Sequence, residues 1–127
     1  MKKEIITTPD APAPIGPYNQ AVFAGDTLYI SGQIALDPAT GELNNASLQV
    51  ETHQCMKNLK AILAGAGLDF SDVIKATIFI TDMKRFAEIN EVYGQYFTGN
   101  FPARETVQVA ALPKFVNVEI SMIAVRG

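Results

Sequence analysis

Residues 101–120, FPARETVQVAALPKFVNVEI, constrain the fold more than any other stretch of this chain. The run Arg104-Glu105-Thr106-Val107-Gln108-Val109 alternates with period two. Arg104, Thr106 and Gln108 therefore share one strand face, with Val107 and Val109 on the other. Past the turn segment Leu112-Pro113-Lys114, Asn117, Glu119 and Ser121 share a face, and Val118, Ile120 and Met122 take the opposite one. The expected pairing is a hairpin around that turn. With Thr106 near Glu119, the polar side chains would fall on a single side and Arg104 would lie diagonal to Glu119. A guanidinium beside a carboxylate on a rigid sheet can hold a small carboxylic acid and present water to it. The same alternation equally describes a solvent face with one cross-strand ion pair, and periodicity leaves both readings open.

The rest of the chain is read around those strands. Residues 3–7 suit a short edge strand, and Pro9, Pro12, Pro14 and Pro17 then forbid regular structure over 10–17. Strands over 20–23 and 27–30 flank Gly25-Asp26, a two-residue hairpin signal, with Ser31-Gly32-Gln33 directly after the second. Capping residues at 44–47 precede a helix over 48–64, where Thr52, Cys55, Met56, Leu59, Ile62, Leu63 and Ala66 recur at helical spacing. A strand over 73–81 follows, with Ile74, Ala76, Ile78 and Ile80 on one face and Lys75, Thr77, Phe79 and Thr81 on the other. Asp82 is placed to cap a second helix over 83–97, striped by Phe86, Ile89, Tyr93 and Phe97. The order β-β-β-α-β-α-β-β predicts an α+β fold: a mixed sheet with two helices on one face. The other face, carrying Phe79 among threonine and lysine, is left for water or another subunit.

At 127 residues the chain is expected to form one domain. Apolar residues make up 48% of it and mean hydropathy is +0.13, sticky enough for part of the surface to be buried in an oligomer. Ten basic against thirteen acidic residues leave a net charge of −3, with no basic cluster longer than Lys2-Lys3, which argues against a nucleic-acid partner. No signal-peptide pattern and no apolar run near the length of a membrane span is present, and the lone cysteine fits a reducing compartment. The expectation is a cytoplasmic protein that does not engage a membrane.

Candidate chemistry is narrow. His53, the only histidine, and Cys55 are two apart on a helix, pointing away from each other, so neither a Cys-His nucleophile nor a metal pair is available. Phosphate-binding and nucleophile-elbow motifs are missing, leaving carboxylate, guanidinium, phenol, hydroxyl and backbone groups, without metal or cofactor. Asn90, in the middle of the second helix's apolar stripe, is read as a buried amide, either structural or facing a ligand. Tyr18 follows the proline loop and can cap a core or drop its phenol over a pocket. Ser31-Gly32 can present backbone N–H groups to an anion.

Taken together, Ile15-Gly16-Pro17-Tyr18-Asn19-Gln20-Ala21, Ser31-Gly32-Gln33, Phe101-Pro102-Ala103-Arg104 and Leu112-Pro113 through Glu119 to Ala124-Val125-Arg126 resemble the RidA (YjgF-type) family. The blocks occur in order across essentially the whole chain. The resemblance implies a chorismate-mutase-like homotrimer with three inter-subunit clefts. It also implies deamination of reactive enamines and imines, such as 2-aminoacrylate, to 2-keto acids and ammonia. Carried over position by position, Arg104 grips the substrate carboxylate, Glu119 places the attacking water, and Tyr18, Ser31, Gly32 and Asn90 line the pocket. Thr106 stands at a pocket position where many members carry cysteine, so a thiol there is not essential to this chain's chemistry. The alternative is a small-metabolite-binding regulatory module that uses the same cleft without turnover. An RNA-directed nuclease is disfavoured by the acidic charge balance and the lack of acid–histidine pairs.

Overall fold

The structure is a computed structural model describing residues 2–127. Eight elements follow the anticipated order: β1 (Lys3–Ile6), β2 (Ala21–Ala24), β3 (Thr27–Gln33), α1 (Leu48–Gly65), β4 (Val73–Ile80), α2 (Phe86–Gly94), β5 (Ala103–Gln108) and β6 (Val118–Val125). The strands form a six-stranded mixed sheet in the order β1-β2-β3-β6-β4-β5. Ser47 caps α1 by accepting the Val50 N–H at 3.1 Å, and Gly25, with φ +60, makes the β2–β3 turn.

The expected β5–β6 hairpin does not form. β6 is antiparallel to both β3 and β4, whereas β5 pairs only with β4, in parallel, at the sheet edge. Side-chain composition explains the choice. Val118, Ile120, Met122 and Ala124 of β6 are all buried, so this strand needs neighbours on both sides. The sequence ARETVQ of β5 is exposed at five of its six positions and suits an edge, where charge also discourages further strand pairing.

The main core lies between the sheet and the helices. Leu28, Ile30, Ala76, Ile78, Ile80 and the inward residues of β6 pack against Cys55, Met56, Leu59, Ile62 and Leu63 of α1 and Ile89 and Tyr93 of α2. A register shift between Val73 and Lys75 turns Val73 inward and leaves Ile74 exposed, contrary to simple alternation. The second helix is shorter than expected. Asp82 caps a 3₁₀ turn at Met83–Arg85, and regular α-helix covers only Phe86–Gly94. Phe79 is not left open either: it packs against a second apolar cluster of Ile34, Leu36, Leu112 and Val116, contributed by two loops.

Candidate active site

The sheet distributes the candidate residues between two clefts. Glu119 pairs with Phe79, on the face away from the helices, while Arg104 pairs with the inward-facing Ala76 and so lies on the helix side. β4 runs between them. Within one chain their strands are two spacings apart, on the order of 10 Å, and the residues are staggered along β4 from Ala76 to Phe79. The side chains lie on opposite faces, so the expected diagonal contact is absent.

The first cleft, about 460 Å³, contains Glu119, Tyr18, Ser31 and Gly32, with Gln20 and Gln33 and an apolar wall that includes Ile15, Ile34, Leu36 and Pro113. Ser31 and Gly32 do not follow β3 but lie within it, where the register with β6 slips between Ile30 and Gln33. The Ser31 N–H donates to Gln20 O at 2.9 Å and its hydroxyl to Asn19 O at 2.6 Å, fixing the bulge to the preceding segment. Gly32 has a steric role. A β-carbon there would come within 2.8 Å of both Cδ and Oε2 of Glu119. The carboxyl thus rests directly on the glycine backbone, half-buried, and desolvation raises its pKa above the ordinary carboxylate value.

Gly32→Ala is accordingly expected to leave thermal stability little changed, since the flexible end of Glu119 can swing aside. Any reaction that depends on Glu119 should slow by about tenfold or more, because displacements of about an ångström suffice for such losses. Parallel melting and turnover measurements check this. Unaltered turnover would mean that the carboxyl position is immaterial.

Gln20, read from sequence as a strand start, organises the proline loop. Its Oε1 accepts the Thr8 N–H at 2.7 Å, and its Nε2 donates to the carbonyls of Thr8, Ala11 and Pro12 at 3.0, 3.2 and 2.9 Å. Pro12 and Ala13 can therefore serve as a fixed wall. Tyr18 stands over the same cleft, its hydroxyl accepting the Ile15 N–H at 3.3 Å.

The second cleft, about 430 Å³, holds Arg104, Asn90, Tyr93, Gly94, Phe101 and Pro102. Arg104 donates from Nη1 to Asn90 Oδ1 at 2.7 Å, and its guanidinium carbon sits 5.2 and 5.0 Å from the ring centroids of Phe86 and Tyr93. Two aromatic faces and one amide therefore aim a guanidinium whose remaining N–H groups can fork onto a carboxylate. Asn90 is exposed rather than buried, a correction that follows from its facing Arg104 of the edge strand β5 across the open second cleft. Thr106 is half-buried beside Ile78 and lines neither cleft. Sequence reasoning missed the apolar lining and the anchoring by Gln20, because the partners of Gln20 are main-chain groups of the proline loop, which have no residue-type signature.

The comparisons with known proteins agree with this architecture. A family model described as Endoribonuclease L-PSP matches residues 8–126. The chain is 50% identical over 127 residues to a 2-iminobutanoate/2-iminopropanoate deaminase of Bos taurus, covering 100% of this chain and 93% of that protein. A solved structure of E. coli TdcF with bound serine is 49% identical and superposes with a TM-score of 0.93, over 98% of this chain and 99% of that one. The E. coli YjgF gene product is 45% identical with a TM-score of 0.93, again over 98% and 99%. With a family match across nearly its entire length and relatives of this similarity, the chain belongs to the endoribonuclease L-PSP family, the YjgF/RidA family.

Proposed function

We propose that the protein is a cofactor-independent imine/enamine deaminase that hydrolyses 2-iminobutanoate/2-iminopropanoate-type intermediates, including those formed from 2-aminoacrylate, to 2-keto acids and ammonia. The observation that carries this reading is the 50% identity, over the whole chain, to a deaminase of that name, with Arg104 and Glu119 each presented in a cleft. Arg104, steadied by Asn90, holds the substrate carboxylate through two parallel N–H···O bonds. Glu119, in its ionised form, takes a proton from water as the oxygen attacks the imine carbon. The C=N bond becomes a C–N single bond, and the nitrogen picks up the proton that Glu119 returns. The resulting amino alcohol then collapses to the keto acid and ammonia. Tyr18, Ser31 and Gly32 line the Glu119 side of the cleft.

Because Arg104 and Glu119 occupy opposite faces of one sheet, this chemistry requires the Arg104 half of one copy to meet the Glu119 half of another. A chorismate-mutase-like homotrimer closes three such clefts. The exposed aromatics around them favour cover by a neighbour: Phe101 at 65% exposure beside Arg104, and Phe115 at 88% in the loop that contributes Pro113. Light scattering after size exclusion is expected to report about three times 13.7 kDa, and a monomer at micromolar concentration would separate the two halves for good.

The family description names a nuclease. The charge balance of −3 disfavours RNA, and His53, hydrogen-bonded to Tyr96 at 2.8 Å, lines neither cleft. None of the described helices is long and apolar enough to cross a membrane, and we place the protein in the cytoplasm. A regulatory metabolite-binding module is the second reading, favoured by the serine held by TdcF. The deciding experiment generates 2-aminoacrylate with a dehydratase and times keto-acid appearance with and without this protein. Acceleration supports the deaminase; an unchanged rate alongside measurable amino- or keto-acid binding supports the module.

A further inference from the structure

One face of α1 is polar yet buried. Glu51, Gln54 and Asn58 follow one another at spacings of three and four residues, and all three are out of solvent. Glu51 is the most demanding of them, with 0% exposure and a carboxylate that meets Asn117 alone among the described hydrogen bonds. Its Oε2 accepts the Asn117 backbone N–H at 2.8 Å, and its Oε1 accepts Asn117 Nδ2, also at 2.8 Å. A buried carboxylate is costly and an apolar side chain would fill the space more favourably, so both bonds point to a held position rather than to packing.

What is held is the entry to β6. Asn117 directly precedes that strand, and Glu119 is its second residue. One turn further along α1, the Cys55 thiol approaches Val118 O at 3.9 Å. The opposite wall of the Glu119 cleft hangs from the same helix: Asn58 Nδ2 donates to Ile34 O at 3.2 Å and Leu36 O at 2.9 Å, and Gln54 links Asn58 to Asn44.

We propose that Glu51 is a positioning residue for Glu119: by clamping the backbone and side chain of Asn117 from the buried face of α1, it fixes where the water-activating carboxyl stands in the cleft. Its effect on rate rests on the deaminase reading, whereas the clamp itself does not.

The test exchanges donor and acceptor. Asn117→Asp sets two carboxylates against each other and breaks the side-chain bond. Combining it with Glu51→Gln lets the new amide donate to the new carboxylate while its oxygen still accepts the 117 N–H. In Asn117→Asp, kcat is expected to fall about 10- to 100-fold, with 2-ketobutyrate affinity changed by no more than about twofold because Arg104 is untouched. Amide-exchange protection at positions 117 and 119 should fall by about tenfold or more, and in the double variant all three quantities should return to within about threefold of wild type. A folded Asn117→Asp protein with wild-type kcat would overturn the proposal, as would a double variant no better than the single one. If the wild type does not hydrolyse the imine, the deaminase reading fails and exchange alone decides the clamp: loss of protection reaching Glu119 sustains it, loss confined to 117 overturns it. Should Asn117→Asp not fold, Asn117→Ala removes one hydrogen bond without adding charge. It is then expected to lower kcat severalfold at constant affinity, and an unchanged kcat counts against the clamp.

Discussion

Glu119→Gln is expected to slow imine hydrolysis by about 10² to 10⁴, the usual contribution of a positioned general base. The amide matches the carboxyl in size and can keep its rest on Gly32, so the cleft should retain its shape. What it loses is the ability to accept a proton from the attacking water. The pH profile gives a second, independent sign. Burial raises the Glu119 pKa, so the wild-type rate should climb with pH through a range above the ordinary carboxylate value, as the basic form accumulates. The glutamine variant should show no such limb. Keto-acid binding should survive in it, because the carboxylate is gripped elsewhere. A variant that hydrolyses at the wild-type rate would reduce Glu119 to a structural role.

Arg104→Lys should produce the opposite pattern, with weakened ligand binding as the primary loss. Lysine keeps the positive charge but loses the planar fork, and with it the stacking over Phe86 and Tyr93 and the directed bond to Asn90. One charge-assisted hydrogen bond is worth roughly 1.5–3 kcal/mol, so affinity for pyruvate or 2-ketobutyrate should drop about tenfold to a hundredfold in a calorimetric titration. Unchanged affinity would mean that the guanidinium serves only to hold Asn90. The two variants therefore separate grip from chemistry.

Much of the fold was legible in the sequence where the information is local. The cap at Ser47, the turn at Gly25 and the apolar stripe of α1 each depend on residues a few positions apart, and each appears where it was expected. Strand order was not legible by the same route. Adjacent strands joined by a short segment suggest a hairpin, but pairing is decided by which strand most needs cover, and β6, apolar at all four inward positions, displaces the polar β5 to the edge. Arg104 and Glu119 each line a cleft, but the expected relation between them fails because it depended on that pairing. Asn90 was misread as buried because its neighbours on the helical wheel are apolar, whereas it turns towards Arg104 on the edge strand of the sheet. Glu51, Gln54 and Asn58 look like a solvent face in a one-dimensional reading. Asn58 bonds to main-chain carbonyls, and Glu51 takes half its bonds from a main-chain N–H, partners with no residue-type signature.

The central place of β6 has a consequence for how the protein is made. β1, β2 and β3 form one antiparallel group, and β4 and β5 form a separate parallel pair; β6 is what joins them in the sheet. It is also the last of the six described strands in chain order. Without β6 the other strands make two separate sheet fragments, each with an open edge, and α1 lacks both the strand that covers Cys55 and the Asn117 before it that receives Glu51. Folding must therefore wait for a late, long-range closure, which is slow and leaves strand edges open to wrong partners. The strand that ends this exposure also carries Glu119, so the carboxyl reaches its cleft only in the step that completes the sheet.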